Sequence, residues 1–217
     1  MITLVFCHGL PFNKDFFTPL IHALKDDFNI VEMDLGYDGN EYLPNPHECT
    51  NAIAIGHSLG FFKLLELGYN FKAFIGISTF TKYNISESNA RALFHLKYVI
   101  NNRPSYAFKG YLQRLKVPEI IFNYKEMNAE KLINDINILD SLDCSTLLKE
   151  TKNQGKEFLF LFGDKDLFFQ CEVAQQQMID YNFIVKPNAG HELGRLHTSW
   201  CKEQIVEFVN KISVTLE

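Results

Sequence analysis

Gly56-His57-Ser58-Leu59-Gly60 stands between an apolar run, Ala52–Ile55, and a segment with apolar residues at helical spacing, Leu59–Leu67, that stops at Gly68. The run is short enough for a buried strand, and the segment after it reads as a helix closed by a C-terminal glycine. A strand that passes directly into a helix must reverse sharply. The residue at the reversal is forced into a strained conformation, and glycines two places before and two places after it remove side chains that would clash. Ser58 is then left at a helix N-terminus, where the helix dipole favours negative charge. This is the setting a nucleophilic serine requires; a plain strand-to-helix turn has the same local pattern.

The same rhythm extends outward from this turn. Ile2–Phe6 and Phe28–Met33 read as strands before it, and Ala73–Ile77, Phe158–Phe162 and Phe183–Val185 as strands after it. Helical spacing recurs over Asp15–Lys25, Glu172–Ile179 and Thr198–Ile212, while Gly36–Thr50, with Pro44 and Pro46, is rich in turns. Short apolar strands alternating with helices predict an α/β fold: about six strands in a mainly parallel sheet, with helices on both faces. The interval between the fourth and fifth strands breaks the rhythm. Leu93, Leu96 and Ile100 share a helical face, as do Tyr111 and Leu115, and again Leu132, Ile136 and Leu139. The expected organisation is a core of residues 1–83 and 156–217 with a helical lid, 84–155, inserted into it. No internal repeat, low-complexity tract or flexible linker is visible.

A nucleophilic serine needs a base, and the base needs an orienting carboxylate. Gly163-Asp164-Lys165-Asp166 follows the fifth predicted strand, and Ala189-Gly190-His191 the sixth. Both lie at carboxyl ends of parallel strands, where open α/β sheets place their sites. Serine, acid and histidine thus occur in the order expected of such an elbow. Each piece alone could be an ordinary turn or loop residue; the ordered set is harder to explain that way. An oxyanion would need two backbone N–H groups. Leu59, directly after the serine, offers one, and Leu10, in the loop Cys7-His8-Gly9-Leu10, the other. His8 and His57 are read as supports of their loops.

Composition limits the alternatives. The chain has 217 residues, 47% hydrophobic and 22% charged, which suits one folded domain with an insertion and excludes disordered and collagen-like classes. Its net charge of −5 argues against a general nucleic-acid binder. No apolar run approaches the ~18 residues of a membrane span, and Met1–Leu10 lacks the basic start of a signal peptide. The five cysteines, Cys7, Cys49, Cys144, Cys171 and Cys201, are scattered and never form a CxxC pair. They read as free thiols of a cytoplasmic protein, with no metal site.

With these residues in place the chain resembles the α/β-hydrolase superfamily, through the His8-Gly9 loop, the Gly56–Gly60 elbow, the Gly163-x-x-Asp166 turn and the late His191. The resemblance implies catalysis by Ser58, Asp166 and His191, with Asp166 preferred to Asp164 because it lies three residues after the turn glycine, and an oxyanion hole from Leu10 and Leu59. It also implies a core lacking the two leading strands of larger members, and no metal or organic cofactor. Phe61 and Phe62 stand where smaller residues usually follow the elbow. More loosely, size and lid resemble the pimeloyl-acyl-carrier-protein methyl ester esterases of biotin synthesis. That would imply cleavage of a methyl ester on an acyl chain held by acyl carrier protein.

Charge bears on this finer reading. Between residues 84 and 118 lie six basic residues (Arg91, Lys97, Arg103, Lys109, Arg114 and Lys116) and one acidic, a net +5, so the rest of the chain carries −10. A basic patch beside a site suits an acidic carrier or a phosphate-bearing arm; a solvated lid surface is the plain alternative. Phe94, Tyr98, Tyr106, Phe108 and Tyr111 are candidates to line an acyl channel, although aromatics at helical spacing commonly pack in cores. The expected partner is a small acyl ester, free or on acyl carrier protein, met by a monomer. An acyl thioesterase or a general small-ester carboxylesterase fits the same residues, and a non-catalytic binding protein of this fold is the rival from another class.

Overall fold

The computed structural model describes residues 1–103 and 126–214. Six strands form one sheet: β1 (Thr3–Cys7), β2 (Asn29–Met33), β3 (Ile53–His57), β4 (Ala73–Ile77), β5 (Glu157–Gly163) and β6 (Asn182–Lys186). Their spatial order is β2-β1-β3-β4-β5-β6, and every pairing is parallel. β3 and β4 are buried along their whole length, as unbroken apolar runs in a two-sided parallel sheet must be.

The chain travels outward from β1 to β2, then returns past β1 to β3 and continues to β6. Parallel crossovers are right-handed, so this reversal puts α1 (Thr18–Leu24) and α2 (Leu59–Glu66) on opposite faces. It also opens a crevice between the carboxyl ends of β1 and β3, the switch point at which such sheets build sites. α2 packs on β1, β3 and β4, while the last helix, α8 (Thr198–Val214), packs against α1. Phenylalanines fill much of the core; Phe61 of α2, for example, meets Phe160 of β5 at 5.3 Å between ring centroids.

One expected helix is divided. Asn13 Oδ1 accepts the Asp15 N–H and opens a 3-10 turn over Lys14–Phe17; Pro19, in the first turn of α1, costs no hydrogen bond there. Between β4 and β5 the described helices are α3 (Glu87–Asn102), α4 (Ala129–Ser141) and α5 (Ser145–Asn153), and α6 (Cys171–Gln177) joins β5 to β6. Ser86 caps α3 and Asn128 caps α4, and the two helices pack together. Leu93, Ile100, Leu132, Ile136 and Leu139 are buried as their spacing predicts, and Leu96 is half-buried. Tyr111 and Leu115 lie outside the described residues.

A buried polar link ties α4 to the core. Asp135 accepts the Tyr37 hydroxyl at 2.6 Å and the Lys63 ammonium at 2.7 Å. Tyr37 comes from the loop after β2 and Lys63 from α2; the Tyr37 C=O also accepts the Asn128 N–H at 2.7 Å. All five cysteines are free and buried. Among the described residues, no helix is long and apolar enough to cross a membrane.

Candidate active site

β3 runs through Gly56 and His57, and Ser58 turns the chain into α2 with φ 51° and ψ −123°. A residue with a side chain holds positive φ only under constraint. Ser58 N–H donates to Ile77 C=O of β4 at 3.0 Å, and the Thr79 hydroxyl donates to Ser58 C=O at 2.8 Å. The flanking glycines are sterically required. A Cβ on Gly56 would sit 2.2 Å from Phe61 Cα, and one on Gly60 would sit 2.3 Å from the His8 carbonyl oxygen. Phe61 therefore does not hold α2 away from the sheet; its ring is buried between Phe74 and Phe160.

The loop after β1 lies against this turn. A Cβ on Gly9 would come within 2.9 Å of Ser58 Cβ. His8 fixes the loop: its Nε2 accepts the Leu35 N–H at 3.0 Å, which leaves the ring proton on Nδ1 to donate to Gly9 C=O at 3.0 Å. The loop carrying Leu10 and the head of α2 thus converge on Ser58. Leu59 is the first residue of α2, where an N–H has no acceptor within the helix.

His191 lies between β6 and the short helix α7 (Leu193–Leu196). Its Nδ1–H donates to Asp166 Oδ2 at 2.7 Å, so its Nε2 is the accepting nitrogen. The Asp166 side chain is fully buried, and its other oxygen accepts the N–H groups of Phe168 at 2.8 Å and Phe169 at 3.1 Å. Asp164 is part-exposed; it accepts a long bond, 3.4 Å, from the Ala189 N–H and pairs loosely with its neighbour Lys165 at 3.8 Å. The loops holding Asp166 and His191 touch: a Cβ on Gly163 would sit 2.2 Å from the Ala189 carbonyl oxygen, and Lys165 N–H donates to that oxygen at 2.9 Å.

His57 connects the serine turn to the histidine loop. Its Nε2–H donates to His191 C=O at 3.1 Å, its ring stacks on Phe16 at 4.3 Å, and its centroid is 4.8 Å from that of His191. Burial pushes the His57 pKa well below the ordinary histidine value and keeps the ring neutral. Burial acts on His191 in the same direction, but the charge and hydrogen bond of Asp166 outweigh it and raise the pKa. Among the described residues no hydrogen bond joins Ser58 Oγ to His191. Such bonds are commonly long before substrate arrives.

The lid residues are placed differently from the core ones. Arg91 is exposed and pairs with Glu87 at 2.5 Å; Lys97 pairs with Asp140 at 3.0 Å; Arg103 is exposed at the end of α3. Phe94 and Tyr98 are exposed on α3. Lys109, Arg114, Lys116, Tyr106, Phe108 and Tyr111 lie outside the described residues. Two neighbours of the site carry no local signal in the sequence: Thr79, which grips the serine carbonyl, and Glu192, a buried carboxyl beside His191. Only the position of Glu192 next to a candidate base could have drawn attention to it.

No protein-family model matches the chain, and no curated protein does. Solved structures of similar shape are found. An enol-lactonase from Burkholderia xenovorans LB400 superposes with a TM-score of 0.78 at 13% identity, over 96% of this chain and 91% of that one. A thermophilic esterase from Thermogutta terrifontis gives 0.76 at 16% identity, over 98% and 90%. An esterase from Exiguobacterium antarcticum gives 0.74 at 17% identity, over 97% and 92%. At these identities the likeness is one of fold.

Proposed function

We propose that this chain, which has the α/β-hydrolase fold, is a serine carboxylic-ester hydrolase. One observation carries the reading. The turn that holds Ser58 at positive φ is tied through His57 to the loop of a histidine whose Nδ1 is bound to a buried aspartate side chain at 2.7 Å, leaving Nε2 to take a proton. In this reading Ser58 Oγ attacks the ester carbonyl while His191 Nε2 accepts its proton. The Leu10 and Leu59 N–H groups hold the oxyanion. His191 then passes the proton to the leaving alkoxide, and a water activated by the same nitrogen releases the acid. Asp166 keeps the imidazole in the required tautomer and stabilises its charge.

The esters of p-nitrophenol test this directly. Asp166→Asn is expected to lower kcat by roughly 10⁴-fold, because it leaves the wrong tautomer in place. Asp164→Asn is expected to change it only a few-fold. Equal effects of the two substitutions would contradict the assignment. A fluorophosphonate probe separates the enzyme from a binding protein of this fold: labelling at Ser58 supports the enzyme, and an inert Ser58 the binder.

The finer reading, a methyl ester on acyl carrier protein, is supported by the resemblance and by the +5 segment. Its test compares methyl-pimeloyl acyl carrier protein with free methyl pimelate; Ser58-dependent preference for the carrier-bound ester is the expected result. The pairing of Arg91 with Glu87 and Lys97 with Asp140 favours the second reading, a small-ester carboxylesterase whose lid charge is balanced locally. That reading prevails if both pimeloyl esters survive while an aryl ester is cut.

A further inference from the structure

Glu192 directly follows His191 and stands at the head of α7. Its side chain is buried, and one carboxyl oxygen, Oε1, has no hydrogen-bond partner among the described residues. Buried carboxylates are normally paired, so an orphan oxygen next to a proposed base requires a reason. Two charged groups act on it, His191 from its own loop and Asp166 from the loop after β5. Arg195, one turn along α7, is committed to the carbonyls of Asp15 at 2.9 Å and Phe16 at 3.2 Å.

We propose that Glu192 is a positioning residue that sets the basicity of His191: its carboxylate holds the proton on the imidazole, and its neutral carboxyl lets that proton go. The proposal rests on reading His191 as the base. Burial pushes the Glu192 carboxyl up to about 7, with His191 and a bond from its own backbone N–H pulling it down and Asp166 pushing it up. Glu192 in turn adds to Asp166 in raising His191. The sign follows. Ionised Glu192 stabilises the imidazolium, so the active neutral form of His191 is reached at higher pH than it would be without that charge. The two groups titrate as a coupled pair.

The ring ¹H–¹⁵N resonances of His191, identified by their loss in His191→Gln, report this without any substrate. In Glu192→Gln the His191 midpoint is expected to fall by about half a pH unit or more. The acid limb of kcat/KM on p-nitrophenyl butyrate is expected to move down with it. An unchanged midpoint in the folded variant overturns the proposal, as does a uniform loss of rate with no shift of the limb. Should Glu192→Gln fail to fold, ¹³C-carboxyl resonances of the glutamates in the unmodified chain decide. One glutamate titrating near neutrality together with His191 supports the coupling; ordinary carboxylate midpoints for all of them overturn it. The two readings fail separately. An unshifted midpoint with intact Ser58-dependent hydrolysis removes Glu192 alone, whereas a shifted midpoint without such hydrolysis removes the esterase and leaves the coupling.

Discussion

Ser58→Ala is expected to lower ester turnover by about 10⁵- to 10⁶-fold, with no loss of folding stability. The size of the effect follows from the role: without Oγ no acyl-enzyme can form, and what remains is oxyanion stabilisation and binding. Stability is expected to hold because, among the described residues, the backbone of Ser58 and not its hydroxyl carries the bonds to Ile77 and Thr79. Alanine keeps the same positive φ and the same strain. Glycine relieves it, so Ser58→Gly is expected to be about as inactive as alanine and more stable by about 1 kcal/mol. Kinetics on a p-nitrophenyl ester and urea unfolding of the three proteins check both halves. Full activity in the alanine variant would refute the nucleophile; a destabilised glycine variant would refute the account of the strain.

Asp135→Ala is expected to destabilise the fold by about 3–5 kcal/mol, the largest stability effect foreseen for a single substitution here. Its carboxylate is buried beneath α4 and satisfies both the Lys63 ammonium and the Tyr37 hydroxyl. Truncation leaves an ammonium and a hydroxyl without their partner in a part-dry setting, and that penalty dominates. A more exposed pair, Lys131 of the same helix with Glu41 of the loop after β2, is expected to contribute at most about 1 kcal/mol. Urea titrations of Asp135→Ala and Lys131→Ala make the comparison. Replacing Tyr37, Lys63 and Asp135 together by Phe, Met and Leu should recover most of the loss, since an apolar cluster of similar volume has no charge to leave unpaired. A triple variant no more stable than Asp135→Ala would show that the link supplies net attraction.

The sheet was legible because parallel strands buried on both faces are continuous apolar runs, and Ala73–Ile77 matches to the residue. Helix ends were less so. The division at Phe17 depends on an Asn13 side-chain bond and the position of Pro19, which periodicity does not register. α7 escaped notice because four residues that include a glycine make no periodic signal. Ser58, Asp166 and His191 could be singled out because each follows a recognisable strand. The Tyr37–Asp135 bond could not, since it joins residues 98 apart in sequence. Glu192 was hidden for a different reason: glutamates are seldom buried, so its sequence neighbourhood suggests surface.

His57 gives the site a property that a list of its parts would miss. One imidazole, stacked on Phe16, belongs to the serine turn by its backbone and to the histidine loop by its Nε2–H bond. The Gly163–Ala189 contact fastens the aspartate loop to the same assembly. The loops that carry the three proposed reactive groups are therefore braced against one another, so a change in the packing of one is expected to be felt by the other two. None of these bonds involves α3, α4 or α5, so substitutions in those helices are expected to leave the joined loops as they are.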